Sequence, residues 1–170
     1  MELKQKIREI KDFPQKGVCF KDITTLLKDS QAFKYSIKSL AELVAEKKPD
    51  VIVGPEARGF IIGAPLAYEL GIGFIPARKP GKLPYKTIEA QYKLEYGSDI
   101  IQMHVDAITP GQKVVIADDL LATGGTIFST VELVERLKGE IVAIAFLIEL
   151  TYLNGRENLS KYDVHSIVKY

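Results

Sequence analysis

The chain has 170 residues, 46% of them hydrophobic and 26% charged, with a formal net charge of +1. That length suits one domain, residues 1–170, with a sizeable core, and the near-zero charge argues against a general nucleic-acid surface. A single cysteine, Cys19, excludes an intrachain disulfide, and the longest apolar run, Ile141 to Ile148, falls far short of the ~20 residues a bilayer span takes.

The opening Met-Glu-Leu-Lys-Gln-Lys is charged and carries no apolar signal segment, so a soluble cytoplasmic protein is expected. Leu3, Ile7 and Ile10 fall on one face of a short helix. Asp12 to Asp22 reads as a loop with Pro14 and Gly17. Phe33, Ile37, Leu40, Ala41 and Val44 keep the helical period, which predicts a helix from Ser30 to Lys47 capped by Asp29 or Ser30. Asp50 to Gly54 is a short apolar strand, Gly59 to Leu70 a helix stopped by Gly71, and Ile72 to Ala77 the next strand. Arg78 to about Thr87 is a basic loop cornered by Pro80, Gly81 and Pro84. Alternating segments near Thr87–Leu94 and Asp99–Val105 suggest a hairpin around Tyr96-Gly97-Ser98. After the turn at Thr109-Pro110-Gly111-Gln112 come a strand from Lys113 to Ala117 and a helix from Gly124 to Lys138. Ile141 to Leu150 is apolar almost throughout, as a strand covered on both faces should be, and Val164 to Val168 is an edge strand. Strands alternating with helices predict an α/β fold, a parallel sheet flanked by helices, with its ligands beyond the carboxyl ends of the strands.

The most informative stretch is Val114 to Thr126. An apolar run ends in Asp118 and Asp119, and a loop of small and hydroxyl residues leads from there to a helix start. Paired carboxylates accept hydrogen bonds from sugar hydroxyls. The backbone amides of Thr123, Gly124, Gly125 and Thr126 can surround a phosphate where a helix N-terminus adds partial positive charge. No Lys follows Gly125, so the pattern is not a Walker A loop. A second turn, Gly54-Pro55-Glu56-Ala57-Arg58-Gly59, offers Arg58. On residue type alone this guanidinium suits a surface ion pair as well as a pyrophosphate. A third, Arg78-Lys79-Pro80-Gly81-Lys82-Leu83-Pro84, is either a solvated basic loop or a contact for a departing polyanion. Glu95, in Leu94-Glu95-Tyr96-Gly97, reads as a hairpin corner or as a proton acceptor. In Phe13 to Asp22, Phe20 is either loop packing or a platform for a planar ring. His104 and His165 show neither metal-ligand spacing nor a neighbouring nucleophile and read as structural, and no His signal accompanies Cys19.

The passage from Val114 to Thr126 resembles the sugar-pyrophosphate motif of the type I phosphoribosyltransferases. Taken in order, Phe-Pro-x-x-Gly-Val-x-Phe-Lys-Asp, Gly-Pro-Glu-Ala-Arg-Gly-Phe, Arg-Lys-x-Gly-Lys-Leu-Pro, Leu-Glu-Tyr-Gly and Asp-Asp-Leu-Leu-Ala-Thr-Gly-Gly-Thr look like the adenine phosphoribosyltransferase family. Leu-Ile-Glu-Leu at 147–150 belongs to the same likeness, which runs from about Phe13 to the end of the chain.

The resemblance implies the family's fold with a small N-terminal base-binding hood, and transfer of a phosphoribosyl group from phosphoribosyl pyrophosphate to adenine, giving AMP and pyrophosphate. It implies that Ala122 to Thr126 hold the 5′-phosphate and that Asp118 and Asp119 bind the ribose hydroxyls. Arg58 and Lys82 would contact pyrophosphate, with Lys79 in the same basic loop and Arg78 reaching in from a second subunit of a homodimer. Phe20 would stack on adenine while the backbone of Cys19 and Lys21 reads its edge. Glu95 would assist deprotonation of N9, with Tyr96 beside it. Mg²⁺ would ride on the pyrophosphate and ribose hydroxyls and need few protein ligands. A cis peptide is implied at Glu56–Ala57. Lys21 stands where many members carry Arg, which matters only if the side chain reads the base. A different purine base and a regulator that binds the sugar pyrophosphate without turnover remain as alternatives; the latter wants a basic face, which the charge balance does not suggest.

Overall fold

The computed structural model describes residues 1–93 and 98–170. In chain order the strands are β1 (Arg8–Lys11), β2 (Cys19–Asp22), β3 (Val51–Pro55), β4 (Gly73–Ala77), β5 (Thr87–Lys93), β6 (Ser98–His104), β7 (Lys113–Leu121), β8 (Glu140–Glu149) and β9 (Val164–Lys169). The α-helices are α1 (Thr24–Leu27), α2 (Ser30–Val44), α3 (Arg58–Leu70) and α4 (Gly125–Arg136).

The centre is a five-stranded sheet in the order β4-β3-β7-β8-β9, and all of its pairs are parallel. Successive side chains of a strand face opposite ways, and the core divides accordingly. Ile52, Val115, Ala117, Ala143 and Ala145 face a cluster with Ile37, Leu40 and Val44 of α2 and Ile62 and Leu66 of α3. Val51, Val53, Val114, Ile116, Ile144 and Phe146 face the other cluster, with Ile127, Val131 and Val134 of α4 and Ala90, Ile101 and Met103 of the β5–β6 hairpin. Burial on both faces is why β3 and β8 are apolar almost without interruption. The carboxyl ends of β4, β3 and β7 lie side by side, which brings the three polar loops together. The last strand is an edge strand, as its position and pattern suggested.

Asp29 caps α2 by accepting from the amides of Gln31 and Ala32, both at 3.1 Å. The helix ends at Val44, and residues 45–47 continue as one 3-10 turn rather than as α-helix.

Three further expectations need correction. Leu3, Ile7 and Ile10 do not share a helix: a 3-10 turn ends at Lys6, and Ile10 lies in β1, opposite Phe20 of β2. Asp12 to Asp22 is accordingly not all loop, because Cys19–Asp22 is a strand antiparallel to Arg8–Lys11. Apolar spacing across Leu3–Ile10 fits both periods, and pairing with a strand eight residues beyond β1 outweighed local helix preference. The strand carrying the acids is longer than Lys113–Ala117. It runs to Leu121, so Asp118 and Asp119 are strand residues, held by pairing such as Asp118 with Phe146.

Candidate functional site

Each loop at the carboxyl edge of the sheet is tied to its neighbour by a side chain the sequence placed there. The β3 turn carries Glu56. Its carboxylate accepts from the backbone amide of Lys79 and, at 3.3 Å, from Nη2 of Arg78, so the β3 and β4 loops are joined. The Glu56–Ala57 peptide is cis. Arg58 opens α3, and its Nε donates to Oδ2 of Asp119 at 2.6 Å, joining the β3 turn to β7. Asp119 is only 4% exposed, whereas half of the Arg58 side chain stays open to solvent. A buried carboxylate without a partner costs several kcal/mol, so this pair fixes the acid while the rest of the guanidinium stays partly open to solvent.

Asp118 sits over the start of α3. A Cβ on Gly59 would come within 3.0 Å of its Oδ1, the same oxygen that accepts from the Asp119 amide at 2.8 Å. Burial, and then repulsion from the neighbouring Asp119 carboxylate, push the Asp118 carboxyl well above the usual range, against the opposing pull of Arg58. A second negative charge beside Asp119 is therefore disfavoured at Asp118.

Beyond Leu121 the chain turns through Ala122 and Thr123 to Gly124, whose φ of +88° only glycine adopts freely. Gly124 is the N-cap of α4 and offers no side-chain cap. The first amides of this helix are thus open to a ligand acceptor.

The basic loop leaves β4 at Ala77. Arg78 pairs through its backbone with Gln102 of β6 in both directions, at 2.8 and 2.6 Å, and its guanidinium lies 5.6 Å from the Phe60 ring. Lys79 and Lys82 are exposed, and the Lys82 amide donates to the Lys79 carbonyl at 3.3 Å in a turn.

The N-terminal hairpin forms a hood beside this edge. Phe20 packs edge-on against Phe13 at 5.3 Å, and the Arg58 guanidinium lies 5.8 Å from the Phe20 ring. Alternation along β2 sends Lys21 the other way. Its Nζ pairs with Glu9 at 3.1 Å, donates to Cys19 Sγ at 3.5 Å and sits 3.9 Å over the Tyr170 ring. The Lys21 side chain is therefore turned away from the Phe20 face, and what the strand can present beside Phe20 is backbone.

The structure brings Phe20, Arg58, Asp119 and the acid-to-glycine loop to one edge, with Arg78, Lys79 and Lys82 in the adjoining loop. Glu95 and Tyr96 lie outside the described residues. His104 and His165 have local partners, the Tyr85 amide at 3.4 Å and Asp163 at 3.1 Å. Among the described residues no group of three His, Cys, Asp or Glu gathers as a metal cluster, and no helix is long and apolar enough to cross a membrane. Sequence reasoning gave no role to Glu56, although its place inside the Arg58 turn was the available signal.

A five-stranded parallel sheet that delivers paired acids to a glycine loop defines a phosphoribosyl transferase domain, and the model of that family matches residues 24–169. The adenine phosphoribosyltransferase of Clostridium tetani is 63% identical over 170 residues, covering 100% of this chain and 99% of that one. The crystal structure of the Thermoanaerobacter pseudethanolicus enzyme of the same name superposes with a TM-score of 0.97 at 57% identity, covering 99% of this chain and 98% of that one. The Saccharomyces cerevisiae adenine phosphoribosyltransferase, solved with an imino-altritol bisphosphate and adenine, gives 0.90 at 38% identity, over 98% of this chain and 96% of that one. The chain belongs to the adenine phosphoribosyltransferase family.

Proposed function

We propose that the sheet edge binds phosphoribosyl pyrophosphate and the hood binds adenine, and that both meet over Arg58 and Phe20. The reaction is transfer of the phosphoribosyl group to adenine, giving AMP and pyrophosphate, a step of purine salvage. The observation that carries the assignment of parts is the run from Asp118 and Asp119 straight into the open amides around Gly124, with Arg58 locked on Asp119.

Ala122, Thr123, Gly124, Gly125 and Thr126 hold the 5′-phosphate through backbone amides, and the Thr hydroxyls add donors. Asp118 and Asp119 accept from the ribose hydroxyls. Hydroxyl donors satisfy Asp118 in either protonation state, which suits an acid whose charge is disfavoured. Arg58, Lys79 and Lys82 face the pyrophosphate. The bond from the anomeric carbon to the pyrophosphate oxygen breaks, its electrons leave with pyrophosphate, and N9 of adenine bonds to that carbon. The N9 proton passes to Glu95, with Tyr96 beside it. Positive charge placed before the bond breaks is worth more than charge that must be recruited, which is why the basic loop sits at the leaving-group side. The basic loop between β4 and β5, residues 78–86, closes to exclude water, which would otherwise hydrolyse the activated sugar; the stretch from Thr87 on, expected to move with it, is strand β5 and stays paired with β6.

Mg²⁺ belongs to this reading as a passenger of the sugar pyrophosphate. The acid pair holds the ribose hydroxyls on which the ion rides, so few protein ligands are needed. When bound, the ion neutralises charge on the pyrophosphate. The reading also includes a cytoplasmic location and a homodimer in which Arg78 reaches the partner's site. In the single chain Arg78 lies on Glu56, a contact it exchanges on reaching across.

The test is turnover of labelled adenine by the purified protein, with and without phosphoribosyl pyrophosphate and Mg²⁺, alongside hypoxanthine, xanthine and guanine. AMP formed only with all components present supports the reading, and a preference for another base would overturn it. Glu95→Ala should lower kcat by about a hundredfold or more with little change in substrate affinity; an unaltered kcat would remove Glu95 as the base.

A further inference from the structure

Glu149 ends β8, and the chain then folds back through two 3-10 turns, Thr151–Leu153 and Gly155–Leu159. Asn154 between them is left-handed, with φ of 54°. This turn sets Gly155 directly against the loop that follows β7. No side chain fits there: a Cβ on Gly155 would stand 2.1 Å from the carbonyl oxygen of Ala122 and 3.1 Å from its carbonyl carbon. The contact continues along the loop, since a Cβ on Gly124 would come within 3.3 Å of the Gly155 carbonyl oxygen. The backbone at Gly155 is the floor on which residues 122–124 rest.

The residue that follows Gly155 holds this floor in place. Arg156 donates from Nε to Glu149 Oε1 at 2.8 Å and from Nη2 to Oε2 at 2.5 Å. Its Nη1 donates to the Val164 carbonyl at 2.6 Å, and the Ser166 hydroxyl donates to the same Glu149 carboxylate. Glu149 is 4% exposed, so the fork closes on a fixed, buried acceptor. Two parallel bonds set direction as well as distance, and an ammonium group cannot reproduce them. The paired guanidinium holds the Glu149 carboxyl down to about 2, so the pair stays charged at any working pH. None of these residues is among those proposed to touch substrate.

We infer that Arg156 is a positioning residue for the sugar-phosphate substrate: clamped on Glu149, it presses the Gly155 backbone against Ala122 and Gly124 and so aims the amides of the loop. The inference rests on the reading of residues 122–126 as the 5′-phosphate loop. Binding of ribose 5-phosphate by calorimetry, with steady-state kinetics in both substrates, tests it on Arg156→Lys. The dissociation constant for ribose 5-phosphate and the KM for phosphoribosyl pyrophosphate should rise about tenfold or more, because sub-ångström aiming of donors is what is lost. The KM for adenine should stay within about twofold. Unchanged ribose 5-phosphate binding, or an equal loss for both substrates, overturns the inference. If Arg156→Lys does not fold, Ser166→Ala replaces it. This milder change to the same clamp should give a smaller loss confined to the sugar phosphate, and an equal loss for both substrates or none overturns the inference again. Gly125→Pro separates the two levels. It deletes one loop amide at the first helical position, where proline is tolerated. Intact ribose 5-phosphate binding in that variant would sink the phosphate-loop reading and this inference with it. Lost binding there, with wild-type behaviour of Arg156→Lys, would sink this inference alone.

Discussion

The carboxyl edge of the sheet and the N-terminal hood are built to different standards. The edge rests on β3, buried at all of its positions, and on β7, whose Val114 to Ala117 are equally buried. Its polar groups are cross-tied by Arg58 to Asp119 and by Glu56 to the β4 loop. The hood is a ribbon of two four-residue strands, none of whose residues is fully buried. An isolated two-stranded ribbon is marginal in water. This one is held from outside, by Leu3 and Ile7 in the core before it and by Lys21 over Tyr170 behind it. On the proposed reading, charge developing at the anomeric carbon needs donors that do not move, and groups set on buried strands suit that. The same reading gives the planar base a cover that can admit it, and a light ribbon suits that.

Variants can sharpen or break this contrast. The largest effect is expected at the edge. Asp119→Ala removes the proposed ribose acceptor and frees Arg58 from its partner, so kcat/KM for phosphoribosyl pyrophosphate should fall about a hundredfold or more. Direct binding of adenine should be near normal; an equal loss of adenine binding would mean the two regions do not act separately. Next is Phe20→Ala in the hood. Loss of a stacking platform is worth about 1–3 kcal/mol per base, so the adenine KM should rise about tenfold while that for the sugar pyrophosphate barely moves.

Asp118→Asn tests the cost built into the edge. The native Asp118 carboxyl is raised by burial and by Asp119, so the folded chain binds its proton more tightly than the unfolded chain. That contribution is fully present below the unfolded pKa, near 4, and is lost as pH rises through the elevated folded value. At pH 7–8 the asparagine variant should therefore melt higher and show a flatter decline of stability with pH, while its use of the sugar pyrophosphate worsens. A lower melting point would contradict the assigned shift. The smallest effect is expected from Lys21→Met. Its side chain lies on Glu9 and Tyr170, so the adenine KM should change less than about threefold, and a large loss would mean the ammonium reads the base after all.

Much of this was legible in the chain itself. The inner strands of the sheet announced themselves as largely apolar runs, and the longer helices as 3.6-residue patterns with Asp29 at one N-cap. The candidate site was legible because Asp118-Asp119 and the Thr-Gly-Gly-Thr loop sit within one short window, and Arg58 within another. The hood was not read as strands. A four-residue strand carries almost no period of its own, and β1 forms because β2 returns to pair with it. Glu56 and Arg156 went unread for a related reason: an acid or a guanidinium has meaning only beside what it touches.

The sequence by itself determined the parallel sheet, the side of it that carries chemistry, and the residues able to hold a phosphate and a sugar, because those follow from local pattern and residue type. Only the tertiary structure decided that Arg58 is spent on Asp119, that Lys21 faces away from Phe20, and that Gly155 lies under residues 122–124. Each of these joins residues distant in the chain through a contact of a few ångströms, and no spacing along a sequence encodes which distant neighbour a folded backbone will bring that close.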